Sequence, residues 1–309
     1  MAVELLAPAG NLEKLAVAYR FGADAAYMGL SRYSLRTRAD NFTVDTAEEV
    51  QKVRGTKKLY CAINSYVHEP DFARLTSLAD EIEPFRFDAF IVSDLGLVPF
   101  LKRRFPSVSL HLSTQANCVN SESARIYGDL GVERIILGRE VGLDEIASIH
   151  AAVPHIELEC FVHGAMCLAY SGRCFLSAWM ADRSANRGDC AHSCRWKYRL
   201  RAGEAALEEA ERPGELYPVE EGEDFTTILS SRDLAMIDHL GDLIDAGVTS
   251  LKIEGRMKSV YYAAVVTRAY RKMIDADEGR IAVEVARRDR DELDKVSHRE
   301  FTTGFYYGR

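Results

Sequence analysis

The chain has 309 residues, 47% hydrophobic and 28% charged, which is enough apolar material for a sizeable core. No apolar run reaches the roughly 18 residues of a membrane-spanning helix, and the opening MAVELLAPAG lacks the basic and long apolar regions of a secretory leader, so a soluble, cytoplasmic protein without membrane contact is expected. The net charge of −8 argues against phosphate binding over the whole surface, although Arg173, Arg183, Arg187, Arg195, Lys197 and Arg199 gather near a cysteine cluster and a local basic patch can act within an acidic protein.

In chain order, short apolar runs alternate with amphipathic stretches. Strands are predicted at Leu5–Pro8, Ala25–Gly29, Leu59–Asn64, Ala89–Asp94, Ser109–Thr114, Arg134–Arg139, Ile156–His163 and Ser250–Glu254. Helices are predicted at Leu12–Phe21, Thr46–Arg54, Phe72–Ile82, Leu97–Phe105, Glu122–Leu130, Leu143–Ala151 and Val260–Ala276, the last with Tyr261, Ala264, Val265 and Tyr270 facing inward. Eight such units close most economically into an α/β (β/α)8 TIM-like barrel, with its site at the C-terminal ends of the strands. A doubly wound open sheet is the alternative; it would bring a GxGxxG turn, which APAGNL does not supply.

More than eighty residues separate the seventh strand from the eighth, too many for a structureless loop. The chain therefore divides into 1–164 (strands one to seven), 165–248 (a cysteine-bearing insertion) and 249–309 (last strand, closing helix and C-terminal extension).

The insertion carries Cys167-x6-Cys174-x15-Cys190-x3-Cys194. Seven cysteines, an odd number with four inside 28 residues, fit a reducing compartment and thiolate ligation better than disulfides. Four thiolates suit an iron–sulfur cluster or a structural zinc ion, and buried unligated cysteines are a third reading; the spacings match no paired CxxC knuckle but do not decide among the three. Cys61, Cys118 and Cys160 lie in or just after apolar strands and read as small buried hydrophobes.

Polar residues crowd the strand C-termini, where packing alone would not put them. Gln115 and Asn117 are among them, with Glu159 and Glu254 as candidate general bases and His163 either at the mouth or satisfied within the core. Arg139 and Arg256 either clamp a carboxylate or phosphate or pair with Glu140 and Glu254. HExxH, GxSxG and P-loop patterns are absent.

The segment CFVHGAMCLAYSGRCFLSAWMADRSANRGDCAHSCRWKY closely resembles the hallmark of the collagenase-like peptidase U family. So do LLAPAGNLEKLAVAYRFGADAAYMG near the start, RTRADNF at 36–42, HLSTQANCVN at 111–120, ILGRE at 136–140 and SLKIEGRMKSVYYAAVVTRAYRKMID at 250–275. CxxxCRW, ERPGE at 211–215, SSRDL at 230–234 and the late FTTGF are most similar to the family's tRNA hydroxylase branch, and the likeness covers nearly the whole chain. That branch hydroxylates the wobble uridine of tRNA with prephenate as oxygen source; relatives hydroxylate an rRNA cytidine or act in oxygen-independent ubiquinone synthesis.

The resemblance implies a [4Fe–4S] cluster on Cys167, Cys174 and Cys190, with Cys194 as fourth ligand where the ubiquinone branch places one near Ser230 and Ser231. It also implies prephenate as co-substrate, for which Arg139, Arg256, Arg36 and Arg38 are the cationic candidates, and an unstacked RNA base, for which Tyr170, Trp179, Trp196 and Tyr198 offer rings. The resemblance implies tRNA as a partner. Many tRNA hydroxylases of the family continue into a further C-terminal domain, whereas the sequence here stops just after GFYYGR, so a longer paralogous subunit is a second expected partner. A metal-dependent peptidase and a non-catalytic subunit of a longer paralogue are the alternatives.

Overall fold

The computed structural model describes residues 3–30, 42–72, 75, 82–167, 169–171, 173, 174, 176, 177, 183, 190–195, 206–208, 216–218, 220, 221, 226, 227 and 232–308. Its inner layer is a ring of eight parallel strands: β1 (Glu4–Pro8), β2 (Ala25–Met28), β3 (Lys58–Ile63), β4 (Ala89–Val92), β5 (Ser109–Leu112), β6 (Arg134–Ile136), β7 (Glu157–Ala165) and β8 (Val248–Ile253). Each pairs with the next, and β8 closes the ring by pairing parallel with both β1 (Glu4↔Ser250) and β7 (Leu251↔Cys160). The chain is thus a (β/α)8 barrel, and the open-sheet alternative is excluded. Most strand residues are buried on both faces, which is why these runs read as near-continuous apolar segments.

The outer layer comprises α1 (Leu12–Arg20), α2 (Ala47–Arg54), α3 (Leu97–Arg104), α4 (Ser121–Asp129), α5 (Leu143–Ala152), α6 (Leu240–Asp245), α7 (Val260–Asp277) and α8 (Val283–Asp291). Side-chain caps set three starts: Asn11 accepts from the Lys14 amide at 2.9 Å, Asn120 from Ser123 at 2.9 Å, and Ser259 from Tyr262 at 3.1 Å. The helix predicted at Phe72–Ile82 lies mostly outside the described residues. On α7 Val265 and Tyr270 are buried as the periodicity reading expects, whereas Tyr261 is exposed and Ala264 only half-buried, their places on the inner face being taken by Tyr262, Ala263 and Val266. Among the described residues, no helix is long and apolar enough to cross a membrane.

Two features of β7 shape the site. Its pairing with β8 shifts by one residue, so that Phe161 opposes Lys252 but His163 opposes Ile253. Strict alternation would send Glu159, Phe161 and His163 all into the barrel. The bulge turns the third outward, beneath α7, where its ring lies 5.4 Å from that of Tyr270 and 5.9 Å from that of Tyr262. Beyond Glu159, where β6 ends, the strand Asp233–Ala235 takes the vacated edge antiparallel to β7 (Leu234↔Gly164), and Phe301–Thr302 adds beside it.

Gly164 sits at this extension with φ +107°. A Cβ there would fall 2.9 Å from the Glu254 carbonyl oxygen and the Tyr262 hydroxyl, so the chain turns toward Cys167 only through glycine.

Candidate functional site

A cavity of about 240 Å³ opens at the C-terminal ends of the strands. Tyr27, Ala62, Ile91, Ile136, Phe161 and Lys252, one from each of six strands, form its floor. Asn64, Gln115, Arg139, Glu254 and Arg256, just past their strand ends, form one side of the rim. The insertion supplies the other side through Cys167, Tyr170, Cys174, Cys190, His192 and Cys194. All four clustered cysteines therefore face one space, together with four basic side chains (Arg139, Lys252, Arg256, Lys258) against one acidic side chain, Glu254. The acidic chain carries a locally cationic mouth.

All four cysteines line the cavity. Among the described residues, no three His, Cys, Asp or Glu side chains are close enough to share a single metal ion. A lone zinc ion needs its thiolates about 2.3 Å from one centre, whereas in a cubane cluster each thiolate binds a different iron, so the ligands stand apart. The donor set, four thiols lining one cavity, fits the larger group. The His192 amide points at Cys190 Sγ, 3.4 Å away, as a donor would toward a thiolate.

The two arginines are held differently. Arg139 Nη1 donates to the Ala165 carbonyl at 3.0 Å, and the guanidinium lies 4.2 Å above the Phe161 ring. Its buried Nε has no hydrogen-bond partner among the described residues. Glu140, the partner considered for it, instead accepts from Asn117 and Ser171. Arg256 is only 4% exposed. Its carbonyl accepts from Lys14 Nζ at 3.4 Å, and a Cβ at Gly10 would fall 2.1 Å from that same oxygen. Gly10, in the APAGNL turn, thus lets the β8 loop settle against β1.

Glu254 is half-buried on the rim, its carbonyl accepting from the Tyr262 hydroxyl at 2.8 Å. Gln115 lines the rim, and its carbonyl accepts from the Tyr66 hydroxyl at 2.9 Å. Asn117 adopts a left-handed conformation (φ +56°) behind the rim.

His163 and Glu159 do not line the cavity. The Tyr270 hydroxyl donates to the Val162 carbonyl at 2.7 Å, so at 3.3 Å it accepts from His163 Nδ1, which carries the proton of a neutral ring. Burial, aided by the Lys258 and His298 charges, lowers the His163 pKa to about 3. Glu159 is completely buried below the floor, accepting from Lys252 Nζ at 2.7 Å, Arg134 Nη1 at 3.1 Å and Ser250 Oγ at 3.2 Å. Arg134 also pairs with the half-buried Glu4 and the exposed Glu157, so the ion network runs from buried Glu159 and Lys252 out to the surface. Burial pulls the Lys252 pKa down while Glu159 opposes the shift.

Lys252 escaped the sequence reading, and a signal existed. Ser250 and Lys252 alternate along β8 and Glu254 follows in the same spacing just past its end, so an apolar run carries polar groups at every second residue. Cys61, Cys118 and Cys160 are buried as expected. Arg36, Arg38, Trp179, Trp196 and Tyr198 lie outside the described residues.

A (β/α)8 barrel with a cavity at the C-terminal ends of its strands, lined by polar and charged side chains, is the architecture of an enzyme. The model of peptidase family U32 matches residues 10–309, and the chain belongs to that family. It is 37% identical over 339 aligned positions to "tRNA hydroxylation protein P" of Escherichia coli, covering 98% of this chain and 74% of that protein. It is 40% identical over 311 to "tRNA hydroxylation protein P1" of Bacillus subtilis, covering 99% and 71%. A relative named "Collagenase" from Porphyromonas gingivalis is 32% identical over 320, covering 99% and 74%.

Proposed function

We propose that this protein is a cytoplasmic iron–sulfur enzyme that hydroxylates the wobble uridine of tRNA, with prephenate as oxygen donor. The observation that carries the reading is the meeting of four cysteines and four basic side chains at one barrel mouth. The names of the Escherichia coli and Bacillus subtilis relatives support RNA hydroxylation.

Cys167, Cys174, Cys190 and Cys194 would hold a [4Fe–4S] cluster. With all four irons capped by thiolates, such a cluster supplies electrons or a fixed scaffold, not an open Lewis-acid iron. Prephenate carries two carboxylates, and Arg139 and Arg256 on the rim match them in charge and fork geometry. Lys258 adds a third cation at the mouth, Lys252 at the floor being already paired with Glu159 at 2.7 Å. The apolar surround of Ile91, Ile136 and Phe161 strengthens these attractions by lowering the local dielectric. Replacing C–H by C–OH oxidises the base by two electrons, so the oxygen donor is the oxidant: its C–O bond breaks, and it keeps that bond's electron pair and is reduced. Glu254 on the rim would take the proton released from the base carbon and pass it to the reduced donor. Tyr170, 56% exposed at the lip, offers a face on which an unstacked base can rest.

The test is mass spectrometry of tRNA nucleosides from cells with and without the gene, complemented by wild type or by Cys167→Ala. Loss of hydroxylated wobble uridine, restored by wild type alone, is expected. Unchanged hydroxylation in the deletion strain would count against the reading and favour an accessory role or redundancy with a longer relative. Anaerobic purification should yield a brown protein with stoichiometric iron and sulfide, and a colourless zinc protein would overturn the cofactor assignment. The second reading, a metal-dependent peptidase, is supported by the Porphyromonas relative's name. Proteolysis that survives Cys167→Ala and Cys174→Ala yet is abolished by chelation would favour it.

A further inference from the structure

The segment from Met166 to Cys174 contains no helix and no strand among its described residues. The backbone bond within it, from the Arg173 amide to the Tyr170 carbonyl at 3.0 Å, does not tie it to the barrel, so side-chain bonds make that connection. Two consecutive residues of the β6 loop supply them. Arg139 Nη1 donates to the carbonyl of Ala165, two residues before Cys167. On the other side of Cys167, Glu140 grips Ser171. Its Oε2 accepts from the Ser171 hydroxyl at 3.1 Å and its Oε1 from the Ser171 amide at 3.3 Å. The Ser171 hydroxyl in turn accepts from the Arg139 amide at 3.2 Å. Asn117, whose left-handed backbone is one that asparagine tolerates, donates its carboxamide to Glu140 Oε1 and anchors the carboxylate on the β5 side.

We infer that Glu140, anchored by Asn117 and acting through Ser171, is the positioning residue that holds Cys167 and Cys174 in register with the barrel mouth. This rests on the cluster reading above. Ser171 is only 6% exposed, so water does not readily replace these bonds. A carboxylate accepting from three donors is a strong and directional anchor. Its grip reaches the first two cysteines and not Cys190 or Cys194, which lie on a separate stretch of chain. Loss of such outer contacts around metal ligands typically weakens retention about 10–100-fold.

The test compares anaerobically purified full-length wild type, Glu140→Ala, Ser171→Ala and Ser171→Thr, which keeps the hydroxyl. Iron release to a chelator is the first readout. The second is the iodoacetamide labelling rate of each cysteine in iron-free protein, resolved by peptide mass spectrometry. Both alanine variants should release iron about 10–100-fold faster. Labelling should change at Cys167 and Cys174 but not at Cys190 and Cys194, with Ser171→Thr close to wild type. Buried Cys61 and Cys160 report general unfolding; if Glu140→Ala exposes them, the milder Ser171→Ala decides. An iron-bearing wild type whose alanine variants hold iron equally well would overturn the inference alone. A wild type that binds no iron would overturn the cluster reading, and unchanged labelling would then sink the positioning role as well.

Discussion

Replacing His163 with Asn should flatten the acid side of the stability profile. The imidazole is 2% exposed, and its pKa in the folded chain is lowered from 6.5 to about 3, chiefly by burial. An unfolded histidine titrates near pH 6.5. Between those values the unfolded chain binds a proton that the folded chain refuses, so stability falls as pH falls through the window and stops falling, on this account, below about 3. One proton corresponds to about 1.4 kcal/mol per pH unit, so roughly 4–5 kcal/mol accumulates across the window. Urea unfolding of wild type and His163→Asn between pH 7 and 4 reads the effect. The wild-type slope should exceed that of the variant by about one proton once the pH is well below 6.5. Equal slopes would mean that His163 charges freely in the folded state, refuting its enclosure beneath α7. Hydroxylation by the variant should stay near wild type, since removal of a general base would cost about 100-fold or more.

Three other outcomes follow from the geometry. Glu159→Ala strands Lys252, which has no other acidic partner among the described residues, and should cost about 3–5 kcal/mol in urea unfolding. Adding Lys252→Met should recover part of that loss, whereas strictly additive costs would show the pair to be uncoupled. Arg139→Met and Arg256→Met should each raise KM for the oxygen donor about 10–100-fold with a smaller effect on kcat, as expected for loss of a charge-assisted contact. An unchanged KM would remove that arginine from the ligand. Gly164→Ala should lower stability by about 1–3 kcal/mol, read as a shifted thermal midpoint, because φ +107° and two contacts at 2.9 Å leave no room for a methyl group. A neutral result would contradict the turn described for β7.

The eight barrel strands and most of their helices were legible in the chain because each is a local property: a buried parallel strand is apolar throughout, and an outer helix repeats its apolar face every 3.6 residues. The strand ends differ from the periodicity reading by only a few residues, as at Val248–Ile253 against Ser250–Glu254. The cysteine spacing likewise marked the insertion as the place to look. Less legible were α6, α8 and the strands Asp233–Ala235 and Phe301–Thr302, which are short and owe their conformation to the elements they pack against.

Side-chain direction was decided by the tertiary structure alone. Glu159 and His163 lie four residues apart on one strand, yet a single bulge sends one into an ion cluster below the floor and the other out beneath a helix. Glu140 could not be matched to Ser171, nor Lys252 to Glu159, because those bonds span 31 and 93 residues and exist only once the ring has closed. Sequence by itself determined which chemistry the chain carries: thiols, arginines and carboxylates at the ends of eight strands. Which of those groups meet at one mouth depended on barrel closure and strand register, since distances between residues remote in the chain follow from packing and not from local propensity.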